Sequence, residues 1–120
     1  MKFREFETSS GNKVFGGKSA ESNEELIEQV EPTEVVLHTA MPGSPFVNIK
    51  GKATKKDVKE AAVFCARYSQ DWRDNKKDVV VHVFKGKDVY KDKKMKLGTF
   101  GVKKKENIKV KKIDILGFEK

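Results

Sequence analysis

The chain has 120 residues and a mass of 13.6 kDa, which suits one ordinary hydrophobic core but not two. Its 26 basic and 18 acidic residues give a net charge of +8, and 37% of the residues are hydrophobic. A single cysteine excludes an internal disulfide, no apolar run approaches the roughly 20 residues that span a bilayer, and the N-terminal segment lacks the apolar stretch of a signal peptide. We therefore expect one domain over residues 1–120, cytoplasmic and without a membrane partner.

The positive charge is concentrated in the second half of the chain. Residues 1–60 carry 9 basic and 10 acidic side chains, whereas residues 61–120 carry 17 and 8. Positive charge concentrated on one part of a small protein attracts a polyanion more strongly than the same charge spread evenly over the surface. The distribution favours a nucleic-acid partner, although a solvated lysine-rich surface has the same composition.

The first half predicts two short strands, a helix and two more strands. The charged segment around Phe3 and Phe6 has the character of a short strand, and the turn at Gly11 leads to a second short strand. Ser19 is a candidate N-cap for a helix over about residues 19–30, with acidic residues in its first turns. The apolar residues 35–38 and 46–49 predict buried strands on either side of a turn at residues 41–45.

The clearest predicted element is a helix over about residues 54–74. Thr54 is its candidate N-cap, and Asp57 occupies the capping-box position three residues later. Apolar and small residues then recur at the spacing of one helix face: Val58, Ala61, Ala62, Cys65, Ser69 and Trp72.

The second half predicts a run of strands. Residues 78–84 are rich in β-branched side chains, and residues 88–91 follow the turn at Gly86 and are expected to pair back on them. Residues 97–102 and 108–110 alternate like two further strands. The expected fold is α+β: a single domain with a mostly antiparallel or mixed sheet, packed by one long helix (about 54–74) and one shorter helix (about 19–30).

Candidate catalytic and metal-ligating groups are few. Cys65 shares its helix face with alanines and is therefore expected to be an inert buried thiol. His82 alternates with Val81 and Val83, which places it on the opposite face of the strand in a structural or surface role. No spacing indicates a metal site or a phosphate-binding nucleotide loop. The sequence therefore predicts no catalytic residue and no cofactor, and a protein that is not an enzyme.

The segment from His38 to Ser44 has a more specific character. His38 ends an apolar strand and is followed by the rigid turn Pro42-Gly43-Ser44. Exposed backbone N–H groups and the Ser44 hydroxyl of such a turn can bind phosphate oxygens, and a histidine can stack on a base or donate to a ribose. The alternative is a tight hairpin corner in which the imidazole of His38 makes hydrogen bonds within the protein and has no ligand.

Several short motifs occur here in a characteristic order. They are residues 14–20 with Asn23, Leu37-His38 with Pro42-Gly43-Ser44, Ala61-Ala62 with Tyr68-Ser69, Val89-Tyr90-Lys91, and Lys96-Leu97-Gly98. In these motifs the chain resembles the NFACT-R domain, the RNA-binding module of NFACT ribosome-quality-control proteins, which also exists in a free-standing form. The resemblance covers about residues 14–110. The family usually has histidine after Pro-Gly-Ser, whereas this chain has Pro45.

The resemblance implies RNA binding, with tRNA or ribosomal RNA as partner and the ribosome as the setting. The N-terminal domain and coiled coil of full-length relatives have no counterpart in these residues, so we expect a free-standing domain that does not itself take part in peptide tailing. In this hypothesis, basic residues beside the turn contact the phosphates. Asp88 and Asp92 reduce the positive charge of this lysine cluster. The predicted RNA-binding residues are His38, Gly43, Ser44, Lys85, Lys87, Lys91, Lys93, Lys94 and Lys96.

Two alternatives come from other functional classes. One is an RNA-modifying or accessory enzyme that uses His38. The other is an adaptor that docks on an acidic protein surface through the same lysines. The RNA-binding hypothesis itself requires that the lysines of the second half lie beside the turn after His38.

Overall fold

The structure, a computed structural model, describes residues 2–119, which form a sheet between two helical layers. The strands are β1 (Arg4–Glu7), β2 (Lys13–Gly16), β3 (Val35–Thr39), β4 (Val47–Ile49), β5 (Val79–Lys85), β6 (Val89–Tyr90), β7 (Gly101–Val102) and β8 (Glu106–Val110). The helices are α1 (Ala20–Glu28), α2 (Lys55–Arg67), α3 (Gln70–Asn75) and α4 (Lys112–Glu119). Within residues 2–119, none of these helices has the length and apolar character needed to cross a membrane.

The main sheet has the strand order β1-β2-β4-β3-β5-β8, and all neighbouring strands are antiparallel. This confirms the predicted α+β fold with a mostly antiparallel sheet. The expectation that residues 88–91 pair back on β5 is wrong, because β3 and β8 already occupy both edges of β5. A 3₁₀ turn at Gly86–Asp88 instead takes the chain off the sheet, and β6 pairs with β7 in a separate two-stranded ribbon. Of the predicted strand at 97–102, only Gly101–Val102 is a strand.

The predicted helix over residues 54–74 is two helices. Ser69 interrupts it with an extended backbone, because its hydroxyl accepts the Trp72 N–H at 3.1 Å and thereby caps α3. Trp72 is nevertheless fully buried, so the spacing identified the buried residues correctly and missed the break. The shorter helix is confirmed as α1, which Ser19 caps as predicted.

Alternating residues of the strands pack in two separate clusters, one on each face of the sheet. On one face, Leu37 and Val81 pack against α2, α3 and α4. Cys65 belongs to this cluster, and burial raises the pKa of its thiol to about 12, in keeping with the predicted inert role. On the other face, Val36 and Phe84 pack against α1 and the ribbon β6–β7. Helix α4, which the sequence analysis did not assign to any element, buries Ile115 on the first face.

A hydrogen-bonded cap joins the start of α2 to the turn between β1 and β2. The Thr54 hydroxyl accepts the Asp57 N–H, and the Asp57 carboxylate accepts the Thr54 N–H at 2.9 Å, which is the predicted capping box. The Ser10 hydroxyl donates to the same carboxylate from the β1–β2 turn. The hydrogen bonds from Ser10 and Thr54 lower the pKa of Asp57 to about 2.

We predict that this carboxylate makes the stability of the fold depend on pH in an acidic window. Because the pKa of Asp57 falls from 3.8 to about 2 on folding, its contribution is present above pH 3.8 and is lost as the pH falls towards 2. Urea unfolding midpoints measured across this window should fall more steeply for the wild type than for Asp57→Asn. Glu5→Gln, at an exposed site on β1, is the control that keeps the wild-type slope. Equal slopes for the wild type and Asp57→Asn would contradict the prediction.

Candidate nucleic-acid interface

Strands β3 and β5 bring two histidines together. His38 and His82 are direct partners in the antiparallel register, on the sheet face that carries α1 and the ribbon. The prediction for His82 was correct in placing it opposite Val81, but it did not foresee that His38 shares that face. Both imidazoles line an open cleft of about 580 Å³, here called the histidine cleft. Its other lining residues include Asn23, Gly43, Ser44, Phe46, Phe84, Gly98, Thr99, Phe100 and Lys105.

The two imidazoles are held in their neutral forms. The His38 ring packs on Phe46 with centroids 4.4 Å apart, and its Nδ1 lies 2.8 Å from the Thr39 carbonyl oxygen. Because a carbonyl only accepts, Nδ1 carries the proton and Nε2 is left as an acceptor. Burial lowers the pKa of His38, opposed by this hydrogen bond, while burial and the nearby Lys105 charge lower the pKa of His82. The cleft is therefore lined by uncharged rings at neutral pH.

The Pro42-Gly43-Ser44 turn is fixed by its own hydrogen bonds. The Ser44 hydroxyl accepts the Thr39 N–H at 3.0 Å and donates to the Pro45 carbonyl at 3.1 Å. Gly43 has φ +88°, and a Cβ there would lie 2.9 Å from Gln70, so glycine is required both by the backbone and by the close approach of α3. The turn is rigid and lines the cleft, and a phosphate contact by the Ser44 hydroxyl stays a prediction.

A smaller polar depression of about 230 Å³ lies on the other side of this turn and is here called the arginine pocket. It is lined by Arg4, Lys18, Tyr68 and Arg73, and it shares Ala20, Asn23, Gly43 and Ser44 with the histidine cleft. The Arg4 guanidinium lies 4.4 Å from the centre of the Tyr68 ring and donates to the Gly17 carbonyl at 3.3 Å. Sequence reasoning missed Arg4 and Arg73, because nothing in the sequence indicates that β1 and α3 meet beside the turn.

A third depression of about 980 Å³ has an apolar floor and a rim of lysines, and it is here called the lysine groove. Val58, Val83 and Ile108 lie in its floor. The lysines that line it are Lys55, Lys59, Lys85, Lys103, Lys104 and Lys105, together with the acidic Asp88 and Glu106. The groove shares Phe84 and Lys105 with the histidine cleft, so the three depressions are contiguous.

The structure distributes the predicted lysines among different surroundings. Lys85 lines the lysine groove, and Lys105, which the sequence did not single out, lies where groove and cleft meet. The Lys91 ammonium lies 2.8 Å from a Glu24 carboxylate oxygen and 4.6 Å from the centre of the Phe100 ring, so it anchors the wall of the cleft. Four predicted lysines are exposed and line none of the three depressions: Lys87, Lys93, Lys94 and Lys96.

The arrangement does not include a ready metal site. Among residues 2–119, no group of three or more histidine, cysteine, aspartate or glutamate side chains is placed to hold a metal ion. Nor does any carboxylate line the histidine cleft or the arginine pocket in this part of the chain. What the three depressions offer together is lysine and arginine charge, neutral aromatic rings and a rigid turn.

Comparison with known proteins gives one family and one well-matched fold. A family described as the NFACT protein RNA binding domain matches residues 2–104. The structure of the C-terminal part of the fibronectin/fibrinogen-binding protein from Streptococcus suis superposes with a TM-score of 0.83 at 19% sequence identity. The match covers 92% of this chain and 45% of that one, so it establishes the fold. No curated protein sequence matches the chain.

We predict that both imidazoles titrate below the usual histidine pKa of 6.5. Burial disfavours the charged form of each ring; the charge of His82 further lowers the pKa of His38, and the charge of Lys105 lowers that of His82. Two-dimensional NMR titration of the ring carbons should report both values, and His82→Ala should raise the pKa of His38. A His38 pKa at or above 6.5 in the wild type would contradict the buried, carbonyl-bonded geometry.

We predict that Lys91 stabilises the loop before β7, whereas its neighbour Lys94 does not. In Lys91→Met, loss of the contacts with Glu24 and Phe100 should lower the free energy of unfolding by about 1 kcal/mol. The Gly98 amide, which donates to Glu24, should lose hydrogen-exchange protection. Lys94→Met is the matched control, since Lys94 is exposed and should keep both values. Unchanged protection at Gly98 in Lys91→Met would refute this role.

Proposed function

Because the chain belongs to the family of NFACT protein RNA-binding domains, we propose that it binds a structured RNA, tRNA or ribosomal RNA, along the three contiguous depressions. The observation that carries this proposal is the shared lining. Gly43 and Ser44 line both the arginine pocket and the histidine cleft, and Lys105 lines both the cleft and the lysine groove. One RNA strand can therefore follow them without leaving the surface.

The charges along this path support binding to the phosphate backbone. Six lysines line the groove against two acidic residues, and two arginines and a lysine line the pocket at the other end. Lysines neutralise phosphates with little preference for sequence, so affinity should depend on salt more than on base composition. The exposed Lys87, Lys93, Lys94 and Lys96 are expected to add contacts from the flanking loop.

The geometry at His38 supports a role in binding rather than in proton transfer. Its Nδ1 is committed to the Thr39 carbonyl, and the residues described around it supply no carboxylate to complete an acid–base pair. We therefore assign His38, Gly43 and Ser44 to RNA binding. The family resemblance further supports a cytoplasmic role in ribosome-associated quality control or tRNA processing.

We predict that the lysine groove supplies part of the salt dependence of RNA binding. With roughly five phosphate contacts, the slope of log K against log salt should lie between about −3.5 and −4.5. Replacing Lys103, Lys104 and Lys105 together by Gln should weaken binding to tRNA at low salt and reduce the magnitude of the slope by about 2. Filter binding at several salt concentrations measures both quantities.

The matched control is the triple replacement of Lys77, Lys111 and Lys112 by Gln, which removes the same charge from exposed positions outside the three depressions. The control variant should keep most of the slope of log K against log salt. A third variant, Lys93, Lys94 and Lys96 to Gln, tests the flanking loop. Equal losses in the groove and control variants would show that net charge, and not this path, drives binding. A slope near zero in the wild type would remove the proposed function.

A further inference from the structure

The chemistry of the histidine cleft differs from that of the lysine groove. Phe46 meets Phe100 edge to face at 5.4 Å, and the neutral rings of His38 and His82 complete an aromatic lining. A volume of about 580 Å³ falls within the range of small-ligand pockets. Neutral rings with a few hydrogen-bonding atoms suit a flat, uncharged, polar ring, whereas a phosphate would find only Lys105 at the edge.

The walls of the cleft are fixed before any ligand arrives. Gly98 donates its N–H to the Glu24 carboxylate at 2.7 Å, which holds the loop before β7 against α1. A Cβ on Gly98 would lie 2.7 Å from the Ala20 Cα, so the loop packs directly on the helix backbone. On the opposite side, the Pro42-Gly43-Ser44 turn is fixed by its own hydrogen bonds. A preformed cleft binds without a cost of ordering its walls.

The arginine pocket has the complementary chemistry. Stacking on Tyr68 and a hydrogen bond to the Gly17 carbonyl position the Arg4 guanidinium, which keeps further N–H donors. Arg73 is exposed and lines the same pocket, and the described lining includes no acidic residue. Arg67 also lies over Tyr68, but its Nε is paired with Glu119 at 2.8 Å, and it lies outside the pocket. Two arginines in a pocket whose described lining holds no carboxylate suit a phosphate group.

We infer that the histidine cleft and the arginine pocket together hold one unpaired nucleotide of the RNA, with the base in the cleft and its phosphate in the pocket. The inference rests on the proposed function and narrows its substrate class. Gly43 and Ser44 line both depressions, so a base in one and its phosphate in the other would adjoin the same turn. Bases of an intact duplex are stacked and paired, so only a bulged, looped or terminal nucleotide can enter.

The tautomer of His38 adds a preference to this site. Since Nδ1 donates to the Thr39 carbonyl, Nε2 offers only a lone pair to the cleft. It accepts from an exocyclic amino group or a ribose 2′-hydroxyl. The cleft should therefore favour a ribonucleotide, whose 2′-hydroxyl can donate to Nε2, over a deoxyribonucleotide, and a base that presents an amino group, as adenine does.

The test compares two RNA duplexes that differ by one nucleotide. One is blunt-ended and fully paired, and the other carries a single bulged 2-aminopurine, an adenine analogue whose fluorescence reports stacking. The wild type should bind the bulged duplex about ten-fold more tightly, with a change in fluorescence on binding. His82→Ala should abolish this preference, so that the bulged duplex binds no more tightly than the paired duplex. His82→Gln, which keeps hydrogen-bonding atoms without a ring, is the second variant if His82→Ala does not fold.

The phosphate half of the site is tested with matched arginine variants. Arg73→Gln should weaken binding to the bulged duplex several-fold and reduce the magnitude of the salt slope by about 0.7 to 0.9, while Arg73→Lys should restore the slope. Arg67→Gln removes the same charge from a residue that also contacts Tyr68 but lies outside the pocket, and it should leave the slope unchanged. A loss of slope in Arg67→Gln equal to that in Arg73→Gln would overturn the assignment of the pocket.

The outcomes separate this inference from the proposed function. Equal affinity for the paired and bulged duplexes, with normal salt dependence, would overturn the nucleotide site and leave RNA binding intact. Failure to bind either duplex or tRNA would overturn both. A preference for the bulged duplex that survives both His82 variants would also overturn the inference, because the base would then lie elsewhere.

Discussion

The Glu24 carboxylate is the contact on which the shape of the candidate site depends. It lies on α1 and accepts from the Lys91 ammonium at 2.8 Å and from the Gly98 N–H at 2.7 Å. Desolvation raises the pKa of Glu24, but these two hydrogen bonds outweigh it and lower the pKa below its usual range. Through this one carboxylate, a loop that is remote in sequence becomes the outer wall of the histidine cleft. Phe100, which follows this loop, meets Phe46 edge to face at 5.4 Å and lines the cleft with His38.

The same contact changes the meaning of the lysine-rich segment before β7. Seen in the sequence, Lys91 is one of several equivalent phosphate ligands. In the structure, its ammonium already has a carboxylate, a backbone carbonyl and an aromatic face as partners, and its role is to build the site. Along the proposed RNA path, the charge lines the groove around Lys103 and Lys105 and the pocket of Arg4 and Arg73. Some basic residues of a surface are thus free to contact a partner, whereas others hold the protein's own structure together, and composition does not distinguish the two kinds.

Several residues of the family motifs have a physical role around the cleft. Gly17 leaves room for Asn23, whose side-chain oxygen accepts the Phe46 N–H at 3.2 Å and so ties α1 to the chain entering β4. Gly43 allows the turn to approach α3, and Gly98 allows the loop to approach α1. The glycines and the asparagine therefore position walls, whereas the rings and cations supply the contacts. This division explains why short motifs far apart in sequence occur together.

Local pattern was sufficient for much of the fold. The caps at Ser19 and Thr54, the strands β3 and β5 and the burial of Cys65 and Trp72 follow from side-chain chemistry within a few residues, and the structure confirms them. The break at Ser69 escaped notice because a serine inside an apolar helical spacing has the composition of a helix face. Helix α4 escaped notice because its short apolar run has no clear period.

The α+β class, the excess of basic charge and the rigid turn after His38 could be predicted, because each depends on neighbours along the chain. The pairing of His82 with His38, the presence of Arg4 and Arg73 in one pocket and the contact of Lys91 with Glu24 arise only in the folded chain. These are matters of strand register and of contacts between remote segments. A shift of one residue in the pairing of β3 with β5 would leave the composition unchanged and separate the two imidazoles, so no local pattern could have specified them.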